Sequence, residues 1–299
     1  MVYTDMNPPC PHCRADGTDV IKAGRYFRAN DSRQVNRFRC RGCTRHFSNA
    51  TLSARYRQKK RRINLPIRKL LVAGVSMRRI ALFLGISRTT VARRLQSLAA
   101  EARESQSRWR EQLGPFRKLQ FDDLITIEHT RLKPLSVCVV VDPDRWQIAG
   151  FCVAQIPASG HLAARSRDKY GPRRDRSRPA RRQLFNELKP HIAPDAQFTT
   201  DAHSDYPALI RSLFPEASHT QHQSVRGCVT GQGELKRIAF DPLFCINHVL
   251  AMSRANINRL IRRTWCTTKV PERLADHLAI FVDVYNRSLS PRQPGHTVH

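Results

Sequence analysis

Acidic residues are scarce in this 299-residue chain: 24 Asp and Glu stand against 52 Lys and Arg, leaving a formal charge of +28. A compact fold carrying that excess repels itself unless a polyanion neutralises it. Nucleic acid is the natural partner, gripped through phosphate contacts that weaken steeply with salt. An anionic membrane surface is the weaker alternative. Long apolar runs are missing as well. No stretch approaches the roughly 18 residues that cross a bilayer, which excludes a spanning helix. The opening residues, Met-Val-Tyr-Thr-Asp-Met-Asn-Pro-Pro, hold no apolar signal core, so a cytoplasmic location is expected. Without a secretion signal, the nine cysteines, four of them in two close pairs, favour metal binding over disulfides.

Those pairs are Cys10-Pro-His-Cys13 and Cys40-Arg-Gly-Cys43, with 26 residues between them. Thiolates three positions apart wrap one side of a tetrahedral ion, and two such pairs close a four-thiolate zinc site. Strand-like pieces lie between them, Val20 to Gly24 and Asn36 to Arg39, so residues 1–55 read as a zinc ribbon. So short and polar a segment depends on its metal to fold. With all four positions filled, the zinc is structural. Two alternatives are a redox C-x-x-C pair and core cysteines, and His12 or His46 could replace one thiolate as ligand.

Residues 56–107 read as a helix-turn-helix. A basic run from Arg55 to Arg62 leads into an apolar helix, Leu65 to Ala73, with Pro66 near its start. Ser76 caps a helix with Ile80, Ala81 and Leu84 inward, Gly85 supplies the turn, and Ser87 caps a second helix with Val91, Leu95 and Leu98 inward. That second helix opens on Arg88, Thr89 and Thr90 and continues through Arg93 and Arg94, residue types that bond base edges and phosphates. It can run on to Arg110 as a connector. An ordinary helical hairpin is the alternative.

The remainder, 108–299, reads as an α/β catalytic domain. Three strands are expected, from Lys118 to His129, Leu135 to Val141 and Trp146 to Gln155, with Asp142-Pro143-Asp144 as a turn. The run from 161 to 182 carries nine basic residues and two acids and reads as a mobile loop that orders on a phosphate backbone. A helix from Arg181 to Lys189 follows, then a short strand from Ala196 ending in Asp201, a helix to Phe214, a strand from Ser218 to His222, a connector to Ala239, and helices over 242–263 and 271–287. That order matches a ribonuclease H-like fold, in which the first and fourth strands lie side by side. Asp122 and Asp201, 79 positions apart, would then meet. Two carboxylates that close repel unless divalent metal bridges them, and Mg2+ or Mn2+ held there suits phosphodiester chemistry. Asp123 is the alternative to Asp122, since a strand sends neighbours to opposite faces. Glu128 shares the Asp122 face by period two.

With these segments in view, the chain resembles the zinc-ribbon, helix-turn-helix, DDE-type transposases of bacterial insertion sequences from end to end. Cys40-Arg-Gly-Cys-Thr-Arg-His-Phe-Ser resembles the family's ribbon end, Phe121-Asp-Asp-Leu its first catalytic segment, Thr200-Asp201 with Tyr206 its second, and Ile246-Asn-His with Arg254, Arg259, Arg262, Arg263 and Lys269 its third helix and basic continuation. The resemblance implies a multidomain α+β protein that binds terminal inverted repeats and target DNA as a homo-oligomer, nicking and joining strands with Mg2+. It implies Asp122 and Asp201 as catalytic metal ligands and Asn247 at the third catalytic position. An amide there ligates metal without adding charge, so Asp241 and Glu234 are spare candidates. The five basic residues after Asn247 are expected to face DNA, and His203 and His248 to lie near the cleft. Trp265 is expected to pack internally. The rival reading is a sequence-specific DNA-binding protein with an inactive transposase-like domain.

Overall fold

The computed structural model describes residues 7–29, 32–53, 55–56, 58–223, 241–261 and 264–289. Glu234, Arg262, Arg263 and most of the 223–239 connector lie outside them. The chain divides into two compact units, Met1–Lys69 and Leu70–His299. Among the described residues no helix is long and apolar enough to cross a membrane.

In the first unit, β1 (Val20–Arg28), β2 (Arg33–Cys40) and β3 (His46–Ser48) form an antiparallel sheet in that order. A bulge between Lys22 and Arg25 uses Gly24 at φ +90°, a conformation glycine adopts without steric cost. The core is small: Cys10, Val20, Phe38, Cys40 and Phe47, with the two phenylalanine rings stacked 5.5 Å apart. Helix α1 (Asn64–Leu71) spans the division between the units.

The second unit opens with α2 (Met77–Phe83) and α3 (Arg88–Leu113). Both starts are capped as expected. The Ser76 hydroxyl accepts from the Arg79 amide and the Ser87 hydroxyl from the Thr90 amide at 3.1 Å, each such cap contributing about 1 kcal/mol. Gly85 turns between the helices at φ +57°. Ile80, Ala81, Val91, Leu95 and Leu98 are buried.

The expected boundary at 107/108 falls inside α3, an unbroken helix of 26 residues that runs on past Arg110 as the expected connector. Its second half docks on α8 (Pro271–Val284), where Gln106 donates to the Ala279 carbonyl at 2.7 Å and Arg103 and Ser105 bond Asp276 and Asp283. Those buried acids need these partners to lie in the interior, so the helical pair and the sheet fold as one unit.

The sheet comprises β4 (Phe116–Glu128), β5 (Thr130–Asp142), β6 (Gln147–Gln155), β7 (Ile192–Asp201) and β8 (Ser218–His222) in the order β6-β5-β4-β7-β8. The first three strands pair antiparallel, and β4, β7 and β8 run parallel. The expected adjacency of first and fourth strands is therefore present. One face carries the aromatic core: Phe121, Phe185, Phe198, Tyr206 and Phe214, with ring centroids 4.6–6.5 Å apart. Cys138 and Cys152 face each other across β5 and β6, Cys138 buried as a core thiol.

The basic run 161–182 is corrected. It is no open loop: it holds α4 (Ala163–Tyr170) and the start of α5 (Ser177–Leu188). The reason is a buried stripe, Ser177, Arg181, Leu184, Phe185 and Leu188, whose helical spacing turns one face of α5 onto the sheet. The helix expected over 242–263 is shorter, as α7 (Phe244–Asn256), and α6 covers Tyr206–Leu213.

Candidate functional site

The sheet's registers bring the two central acids together. β4 and β7 pair through Phe121 and Thr200, and one position further along each strand stand Asp122 and Asp201. Adjacent strands are about 4.8 Å apart. Successive side chains alternate faces, so Phe121 and Asp123 point to the aromatic core while Gln120 and Asp122 point to the other side. There the Gln120 side chain donates to the Pro242 carbonyl and accepts from the Ile246 amide, which seats the start of α7 over the acid pair. Asp122 is thus the residue that shares a face with Asp201.

Asp122 is half-buried, and its carboxylate accepts from the Asp123 amide at 2.7 Å. Burial first, then the charges of Asp201 and Asp123, pushes its carboxyl up to about 6, against the opposing Asp123 amide and Arg254. Asp201 accepts from the His203 amide at 3.2 Å, and Gln221 on β8 donates to the backbone carbonyls of Asp201 and His203. A divalent cation would relieve the repulsion in this pair, and hard carboxylate oxygens suit Mg2+ or Mn2+. The raised value also has a stability consequence. A carboxyl held near 6 in the fold and near 4 in the unfolded chain contributes stability below pH 4 that is lost as pH rises through 6, at most about 3 kcal/mol. Without added divalent ions, Asp122→Asn is expected to match wild type at pH 4 and exceed it at pH 8 by about 1–3 kcal/mol. Urea midpoints across that range check this; parallel curves would remove the electrostatic cost assigned to the pair.

Asp123, the alternative to Asp122, has different surroundings. It lies on the opposite face in a salt bridge with Arg181, which is 2% exposed and reaches Asp205 at 3.3 Å. The Arg181 guanidinium lies over the Tyr206 ring, and Tyr206 stacks on His203. Arg178 chelates Asp205 with two hydrogen bonds, holding its carboxyl below the usual range. Arg181 therefore ties the strand residue next to Asp122 to the loop that follows Asp201. Its helical spacing with Leu184, Phe185 and Leu188 is the sequence signal for this role, hidden in a run where every arginine looks alike. Arg181→Met leaves the Asp123 charge buried and is expected to cost roughly 3–5 kcal/mol. Adding Asp123→Leu should restore most of the loss in a denaturant titration; a double variant as unstable as the single one would mean the pair is not the cause.

Asn247 is exposed on α7, and its amide donates to the Asp241 carboxylate at 2.8 Å. Asp241 also accepts from the Leu243 amide at 2.9 Å, so these two residues brace the helix start. Asn247 shares a helical face with Arg254, seven residues on, and the Arg254 charge acts on Asp122. Among the described residues no third carboxylate, imidazole or thiol closes with Asp122 and Asp201 into a three-ligand group. His203 borders Asp201 as expected; the His248 ring packs against Trp146 and Phe244. Glu128 is engaged by Arg173 at 2.7 Å and by Gln155.

Of the basic residues expected on DNA, Arg88, Thr89, Arg93 and Lys269 are exposed, and Thr90, Arg94 and Arg254 half-exposed. Arg259 is only 9% exposed, because the chain turns inward after α7 and buries Ile257, Asn258 and Leu260 beside it. Trp265 is corrected: its side chain is fully exposed.

In the first unit, Cys10, Cys13, Cys40 and Cys43 bring their sulfurs within 4.8 Å of one another. Neither His12 nor His46 belongs to this group, and both are exposed. The residues after the second cysteine of each knuckle, Arg14 and Thr44, both take left-handed backbone, φ 61° and 58°. Such strain persists only where surrounding structure enforces it. Four thiolates with this mutual spacing suit tetrahedral Zn2+.

No family model and no curated protein matches the chain. Solved structures with some likeness include a pre-cleavage Mos1 transpososome (10% identity, covering 75% of this chain and 74% of that one, TM-score 0.26). Others are the catalytic domain of Mos1 mariner transposase (12% identity, 67% and 95%, TM-score 0.22) and a simian T-cell lymphotropic virus intasome bound to PP2A regulatory subunit B56 gamma (18% identity, 78% of each, TM-score 0.24). At TM-scores this low the likeness carries no argument, and function is argued from the chain's own residues.

Proposed function

We propose that the chain is a transposase of the DDE type with a ribonuclease H-like catalytic domain, acting on the ends of a bacterial insertion sequence. The observation that carries this reading is the pairing of Asp122 and Asp201 on adjacent parallel strands, with burial and mutual repulsion raising Asp122. A structural domain gains nothing from that repulsion. The chemistry supplied by Mg2+ or Mn2+ at the pair is polarisation of the scissile phosphate and neutralisation of charge at the attacking and leaving oxygens. Asp122 and Asp201 would hold the ion, Asn247 would offer an uncharged oxygen from α7, and Arg254, whose charge acts on Asp122, would add positive charge at the site. The capped pair α2–α3 serves as a helix-turn-helix, with Arg88, Thr89, Thr90, Arg93 and Arg94 on DNA and Lys269 on the backbone. The four-cysteine zinc ribbon adds a second basic contact. Two ends must be joined together, so the working form is a homo-oligomer on DNA, in the cytoplasm.

A specific observation favours the rival reading: Asn247 and Asp241 are bonded to each other, and no described acid completes a triad. A DNA-binding protein with an inactive catalytic domain fits that feature. The deciding experiment compares wild type with Asp201→Asn on DNA carrying candidate ends, scoring cutting and joining separately from binding.

A further inference from the structure

A groove of 880 Å³ opens between α2 and the segment after α7, within the range of roughly 300–1,000 Å³ typical of ligand sites. Among the described residues no acid lines it, whereas Arg78, Arg79 and Arg88 do. Three further lining residues are poorly served by the fold. Trp265 exposes its whole side chain, although an indole is among the largest apolar surfaces a protein can bury. Arg259 is 9% exposed, yet no carboxylate among the described residues pairs with it, and its guanidinium reaches only the Met77 sulfur at 3.9 Å. The nearby acid Asp276 already bonds Arg103 and Arg273. A buried cation without a counter-charge is costly. His277 is 1% exposed; its Nε2 donates to the Leu71 carbonyl at 2.9 Å, leaving Nδ1 without a partner. Burial holds this ring down to about 4, so at neutral pH Nδ1 is an acceptor.

We infer that this groove receives an unpaired nucleotide of bound DNA, its base stacked on Trp265 and its phosphate against Arg259. The aromatic face suits any base, and the buried guanidinium suits a phosphate. Arg88, at the start of the helix proposed to contact duplex, also lines the groove, so an extruded nucleotide stays close to its duplex. The inference rests on the DNA-processing reading and adds a specific subsite to it.

The test measures equilibrium binding of the zinc-loaded full chain to a duplex with one unpaired nucleotide and to the same duplex fully paired. Wild type is expected to prefer the first by about tenfold, the size of one stacking contact. Trp265→Ala should lose that preference, keep its affinity for paired duplex, and melt like wild type because the side chain packs against little. Trp265→Phe should retain part of it. Arg259→Gln should weaken the unpaired substrate most. Equal binding of both duplexes by wild type, or an unchanged preference in Trp265→Ala, overturns the subsite while leaving the broader reading intact. Failure to bind either duplex overturns both. A change of oligomeric state in DNA-free Trp265→Ala, seen by sedimentation, assigns the tryptophan to a contact between copies instead and overturns the inference.

Discussion

Asp201→Asn is expected to lower strand cutting by on the order of 10³-fold or more, about 4 kcal/mol of transition-state stabilisation, while DNA affinity stays within about twofold. The substitution keeps size and one oxygen. That oxygen still accepts from the His203 amide, so the loop that follows β7 keeps its brace. What is lost is one of two charges that hold a divalent ion, and with it the electrostatic pull on the scissile phosphate. DNA affinity resides in basic side chains elsewhere, so binding and cutting separate. Asp122→Asn should behave alike in cutting. Because it also removes the burial penalty on a charged carboxyl, it should gain stability at neutral pH, a trade of stability against activity common at functional sites. If wild type binds the ends and neither it nor the variants cut, the Asp241–Asn247 bond becomes the explanation, and the chain is a DNA-binding protein. If both acid variants cut like wild type, the pair is not catalytic and the proposed function fails.

Removal of zinc is expected to unfold the first unit. Its five-residue core, two of them cysteines, buries far too little apolar surface to offset the entropy of ordering three strands. Structural Zn2+ at four thiolates supplies about 10–16 kcal/mol in comparable small sites. Chelation, or Cys40→Ser at the fully buried ligand, should abolish protection of residues 7–53 from proteolysis and release one zinc per chain. The second unit has its own sheet and aromatic core, so its melting transition should persist. Strands that survive the chelator, or a release of no zinc, would return the cysteines to the redox or core alternatives.

Much of this was legible in local sequence because the physics is local. Cysteines three apart wrap one ion whatever surrounds them. Ser76 and Ser87 cap helices by bonding amides three residues on, and β-branched runs at 116–155 form strands that pair with their neighbours. The order of elements then dictated that β4 and β7 lie side by side. Side-chain exposure depended on which face each element turned to the core. Alternation along β4 separates Asp122 from Asp123, but only the seating of α7 on Gln120 and of α5 on Phe121 gave the two faces different surroundings. Arg181 and Arg178 are three residues apart in one basic run; the first is interior and the second exposed, because α5 has a single stripe that meets the sheet. The burial of Arg259 and the exposure of Trp265 have the same origin. Charge and hydrophobicity suggest where a residue belongs, whereas the path of the chain after α7 decides which one the core has room for.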